Sequence, residues 1–153
     1  MQPRHRVMFA GTRLATPLPE RAAAAAAAGF TAVSIWPGDV VRSDRRAIAQ
    51  AIAQAGLVTT DMECIGNWLP AHASGEGGWA DAVRAATPEK IITLAHELGA
   101  RTVSVVELLG EEWAPAAQAR AFADICDRAA DHDIHVAIEP VPAGALRALY
   151  LQT

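Results

Sequence analysis

Ala95-His-Glu-Leu-Gly-Ala-Arg-Thr-Val-Ser-Val-Val-Glu-Leu108 holds the end of a helix, a turn and a whole strand in one short stretch. Gly99 follows Leu98 where a helix needs a left-handed cap. The run Arg101-Thr-Val-Ser-Val-Val-Glu-Leu then has strand composition, and it carries a carboxylate, Glu107, near its end. Upstream, Thr87 supplies an N-cap and Pro88 takes the first helical position, where its missing N–H costs nothing. Helix, glycine, apolar strand and polar strand end form the unit to look for elsewhere.

The same unit recurs in both directions. A helix is expected from about Pro19 to Ala28, with Gly29 as its cap and the strand Ala32-Val-Ser-Ile-Trp-Pro after it. Ser43 and Asp44 offer N-caps for a helix through Ala55. Its Ile48, Ala51, Ile52 and Ala55 share a face, and Gly56 closes it before an apolar run from Leu57 to Ile65. The first strand is expected over Arg6-Val-Met-Phe-Ala-Gly. A long helix should cover about Ala116 to Asp131 and lead into Ile134-His-Val-Ala-Ile-Glu-Pro. Gly66 to Ala86 reads as a long irregular loop, and Ala145 to Thr153 as a helix that stops abruptly, as if the chain were the front of a longer gene product.

Alternating strands and helices imply a parallel sheet covered by helices. Two architectures fit five such units: the first five strands of an incomplete eight-stranded barrel, or an open doubly wound five-stranded sheet. The segment Gly11-Thr-Arg after the first strand is neither a dinucleotide fingerprint nor a P-loop, which leans toward the barrel. No linker or composition shift divides the chain, so residues 1–153 read as one partial barrel domain.

Composition narrows the partners. A chain that is 52% hydrophobic and 20% charged is globular rather than disordered. A formal net charge of −4 offers no broad basic field for nucleic acid or anionic membrane. Cys64 and Cys126 lack metal-ligand spacing and suit a reduced, cytoplasmic compartment. No run of residues has the length and apolarity of a signal peptide core or a membrane span.

In either architecture chemistry gathers at the carboxyl ends of the parallel strands. That rule selects Trp36, Glu63 and Asn67, Glu107, and Glu139. Glu139 is the sharpest candidate, because it ends the apolar strand Val136-Ala-Ile and precedes Pro140. A carboxylate drawn out of water there needs a partner or a metal; the alternative is a capping or ion-paired glutamate. Glu107 suits either a bond to a substrate hydroxyl or a rim pairing with an arginine such as Arg13. Glu63 lies within Asp61-Met-Glu-Cys-Ile, where alternation leaves its direction open. Trp68 and Trp79 in the third loop either stack on a small sugar or polyol or anchor the loop. Of the five histidines, only His72 is placed to reach a site; His96 within a helix and His132 near a helix end suit solvated roles.

Three stretches, Ala27-Ala-Gly-Phe-Thr-Ala-Val-Ser-Ile-Trp, Ala95-His-Glu-Leu-Gly-Ala-Arg-Thr-Val and Val136-Ala-Ile-Glu-Pro, resemble the sugar phosphate isomerase/epimerase family of xylose isomerase-like TIM barrels in content, order and spacing. The likeness covers nearly the whole chain but only about five-eighths of a barrel of that kind. It implies proton transfer next to a carbonyl on a small sugar or polyol, with Glu139 as metal ligand and half of an acid–base pair. It also implies a divalent metal (Mn, Mg, Co or Zn), with Glu107, Glu63, Trp36, Trp68 and His72 on the substrate side. Family members add ligands from strands six to eight, which this chain lacks. They also often carry Glu where this chain has Ser34. The expectation is therefore a metal-dependent isomerase or epimerase that is inactive, and binds metal weakly, as this chain alone. Dehydratase or hydroxypyruvate isomerase chemistry stays open within the same family. So does a non-catalytic ligand-binding or interaction role, with self-association through exposed barrel edges.

Overall fold

The computed structural model describes residues 5–69, 78–107 and 114–140. Five strands, β1 (Val7–Met8), β2 (Ala32–Ile35), β3 (Val58–Ile65), β4 (Thr102–Val106) and β5 (His135–Glu139), form one sheet. The helices are α1 (Leu18–Ala27), α2 (Pro37–Arg42), α3 (Arg45–Gln54), α4 (Gly78–Ala85), α5 (Pro88–Leu98) and α6 (Pro115–Ala130).

Strand order settles the architecture. The spatial order β1-β2-β3-β4-β5 is the chain order, and every observed pairing is parallel. A doubly wound sheet reverses direction at a switch point and so breaks sequential order. Here each crossover advances one strand, and connections of one hand put the crossover helices on one face, as in a barrel wall. Among the described residues the sheet stays open, with β1 and β5 as its edges. The open doubly wound alternative is thereby set aside.

Register defines the two faces. Partners across parallel strands point the same way. Met62 pairs with Val103, and Val105 with Ile138. Val33, Ile35, Met62, Val103 and Val105 pack with Ile48, Ile52, Ile91, Leu94 and Ile125 from the helices as one core. The opposite, inner face therefore carries Asp61 beside Thr102, Ser104 beside Ala137, and Val106 beside Glu139. Irregular register between Thr59 and Met62 and between Met62 and Ile65 bends β3, the longest strand.

The helix ends form as their residues dictate. The Asp44 side chain accepts a bond from the Ala47 N–H at 2.8 Å, and Thr87 caps α5 through the Lys90 N–H. Gly99 sits at φ 73°, and the Ala100 N–H reaches back to the Ala95 carbonyl at 2.9 Å, which closes α5 and starts β4. After α6 the same role falls to Asp133, at φ 56° without being glycine.

Three expectations need correction. The first strand is only two residues long. Ala10–Arg13 coils into a 3-10 turn instead, tied to β2 by the Ala10 N–H donating to Ser34 Oγ at 2.7 Å. The region read as irregular from Gly66 to Ala86 contains α4, whose start at Gly78 hid its helical character. A short helix, α2, follows β2 directly, started by Pro37 and held by Asp39, whose Oδ2 accepts from the Trp36 N–H at 3.1 Å. The expected helix over 145–153 lies outside the described residues.

Candidate functional site at the carboxyl ends of the strands

The strand ends bring together four candidates and one residue that the sequence did not single out. Trp36 at the end of β2 packs against Cys64, Val83 and Val106, a small cluster separate from the main core. Glu139 is paired with Val106 across β4 and β5, is exposed, and lies on the inner face. Glu107, half-buried, directly follows β4. The Cys64 thiol is pushed up, first by burial and then by the charges of Glu63 and Glu139. Cys64 thus stays a thiol, as its burial predicts.

The direction of Glu63 is now plain. It lies on the inner face beneath the 3-10 turn, only 5% exposed, and neither carboxylate oxygen has a hydrogen-bond partner. Burial raises its pKa to about 7. The Ser34 hydroxyl and the Ala10 peptide lie close enough to pull the other way, while the neighbouring Asp61 charge adds to the rise. At neutral pH Glu63 therefore holds a proton far more readily than an exposed glutamate does. Ser104 Oγ on β4 is buried on the same face and also lacks a partner. This polar row of Ser34, Glu63 and Ser104 was not foreseen; the residues at period two on neighbouring strands would have been the signal.

Trp68 is 8% exposed, and its indole N–H donates to the Val106 carbonyl at 3.1 Å. It anchors the chain after β3 to the end of β4, with little ring surface open to a ligand. Asn67 Nδ2 donates to the Arg84 carbonyl at 2.8 Å, which fixes the same segment to α4. His72 lies outside the described residues.

A buried ion pair supports the β2 end. Arg21 from α1 is fully buried and meets Asp39 of α2, which is 2% exposed. Arg21 also donates to the Thr16 carbonyl at 3.3 Å, while its Nε has no partner. In the sequence neither Asp39, at the third position of the unforeseen α2, nor its partner Arg21 was singled out.

Clefts open elsewhere as well. One of about 480 Å³ lies between α3 and α5, floored by Val40, Ile48 and Leu94. Another of about 490 Å³ opens between α5 and α6 and reaches Asn67 and Trp68. Both belong to the helix layer. The strand-end carboxylates instead face the open inner side of the sheet, where chemistry sits in parallel barrels.

Glu139 would supply one carboxylate to a cation, and a hard divalent cation takes six or more oxygen ligands. Among the described residues no group of three His, Cys, Asp or Glu side chains could hold a metal ion. The described residues therefore fall short of a metal centre.

No family model matches the chain, and no curated protein does. Solved structures do match. A xylose isomerase domain-containing protein from Salmonella typhimurium LT2 aligns with TM-score 0.66 at 15% identity, covering 92% of this chain and 52% of that one. L-ribulose 3-epimerase aligns with TM-score 0.62 at 21% identity, over 91% of this chain and 50% of that one. An AP endonuclease, family 2, from Brucella melitensis aligns with TM-score 0.63 at 23% identity, over 90% and 56%. The chain spans about half the length of the structures it matches. The described fold is that of five successive parallel strands with their intervening helices from a xylose isomerase-like TIM barrel, in a sheet that stays open among the described residues.

Proposed function

We propose that this chain contributes the Glu139 side of a sugar isomerase or epimerase centre that works by proton transfer next to a carbonyl. One observation carries the reading: Glu139 stands at the carboxyl end of β5, on the inner face and exposed, in a fold shared with sugar epimerases. A carboxylate there is placed to take a proton from carbon and return it. Epimerisation needs a second proton donor on the opposite side of the substrate, and the family resemblance implies that this group would come from a strand beyond β5. A divalent metal, where bound, would polarise the substrate carbonyl. Its ligands other than Glu139 would lie outside the described residues, so no step here runs through it.

The substrate side follows from position. Trp36 offers an apolar edge for a small sugar or polyol, and Glu107 a carboxylate for its hydroxyls. Glu63 lies deeper, where it sets the polarity of the floor. The acidic balance of the chain disfavours the nucleic-acid chemistry of the endonuclease neighbour.

The test is exchange of the carbon-bound proton beside the carbonyl in heavy water. The native gene product containing this chain, supplied with Mn2+ and a panel of ketoses, should incorporate deuterium. Glu139→Gln should slow that exchange by a factor of about 100 or more. Undiminished exchange in the variant would remove Glu139 from the chemistry.

A second reading has its own support. Val7, Phe9 and Ile138 are 38%, 54% and 53% exposed on or beside the two edge strands. Such edges suit a non-catalytic role in which the chain binds another polypeptide or itself. Full exchange activity in a monomer would dismiss it.

A further inference from the structure

At the opposite end of the sheet, two histidines from distant parts of the chain face each other. His96 lies in the last turn of α5, and His132 follows the α6 cap residue Asp131. Their ring centroids are 5.0 Å apart and the planes are tilted by 56°. Both are exposed.

A tetrahedral cation holding two imidazole nitrogens at about 2.1 Å each sets the ring centres about 5.2 Å apart. The observed 5.0 Å lies close to that spacing, so the two rings could share an ion with little rearrangement. Charge favours it too, because the two helix C-termini converge there and their carbonyl ends attract cations. The neighbouring carboxylates are otherwise occupied. Glu97 pairs with Arg45, and Asp133 with Arg101. Among the described residues no third ligating side chain joins the two rings.

We propose that His96 and His132 form a two-histidine site for a borderline divalent cation such as Zn2+, Ni2+ or Cu2+. Water completes its coordination. The site clasps the C-terminal ends of α5 and α6, on the face away from Glu139, and is independent of the chemistry proposed there.

The experiment is calorimetric titration of the full chain with Ni2+ and, separately, Zn2+ at pH 7.5. We expect saturation near one equivalent. His96→Gln and His132→Gln should each weaken binding at least tenfold, while His5→Gln and Cys126→Ser leave it unchanged. Both histidines are exposed, so their variants should fold. Native-like binding in either histidine variant, loss in either control, or no saturable binding by the native chain would each overturn the proposal.

Discussion

Glu63 is the residue whose charge matters most to the folded chain. Its carboxyl is held near pKa 7 against about 4.5 for an ordinary glutamate, because burial disfavours the charge and Asp61 repels it. A raised carboxyl pKa means that the folded state holds a proton that the unfolded chain releases. Below pH 4.5 both states hold it and stability is full. As pH rises from there through 7, stability should fall by about 3 kcal/mol and then level off. Urea midpoints from pH 4 to 8 measure this. Glu63→Gln should flatten the curve and exceed the native chain at pH 8; an unchanged slope would mean that Glu63 is solvated. At the same scale, Asp39→Asn strands the fully buried Arg21 charge. A loss of about 3–5 kcal/mol is expected by chemical denaturation. A loss under 1 kcal/mol would show that water reaches the guanidinium.

Elements follow from local chemistry wherever that chemistry is complete within a few residues. Gly99 adopts φ 73°, and a Cβ added there would meet nothing within 4 Å. Gly99→Ala should therefore cost about 1–2 kcal/mol from backbone strain alone. Asp44→Ala removes the cap on Ala47 and should cost about 1 kcal/mol. Thermal denaturation of the two variants checks both. Such signals made α1, α3, α5, α6 and strands β2 to β5 legible in the sequence within a residue or two. The misses have the opposite character. The Arg6–Gly11 run was shortened because Ala10 bonds to Ser34, a partner 24 residues away. The Gly66–Ala86 region concealed α4 because glycines mask its start. Residues at strand ends were legible as a class, since topology alone places them, and Glu139 stands where expected. The burial of Glu63 under the 3-10 turn and the pairing of Arg21 with Asp39 were not, because both depend on contacts between elements that no local pattern records.

Across the described residues of the molecule, five parallel strands in sequential order leave two unpaired edges and an inner face that a closed barrel would cover. Ile138 shares the helix-facing side with Val105 yet remains 53% exposed. Association through these surfaces should appear as a sedimentation coefficient that rises with concentration, and Ile138→Lys should reduce it. Invariant sedimentation from micromolar to millimolar chain would show that the edges are protected. The same openness limits chemistry. Glu139 has no second carboxylate opposite it among the described strands, and the described residues offer no group of three metal ligands. The most direct test of the account is Mn2+-dependent deuterium exchange into ketoses by the isolated 153-residue chain. The account predicts none above the protein-free rate. Robust exchange that is lost in Glu139→Gln would contradict it, because five strands would then hold a complete centre.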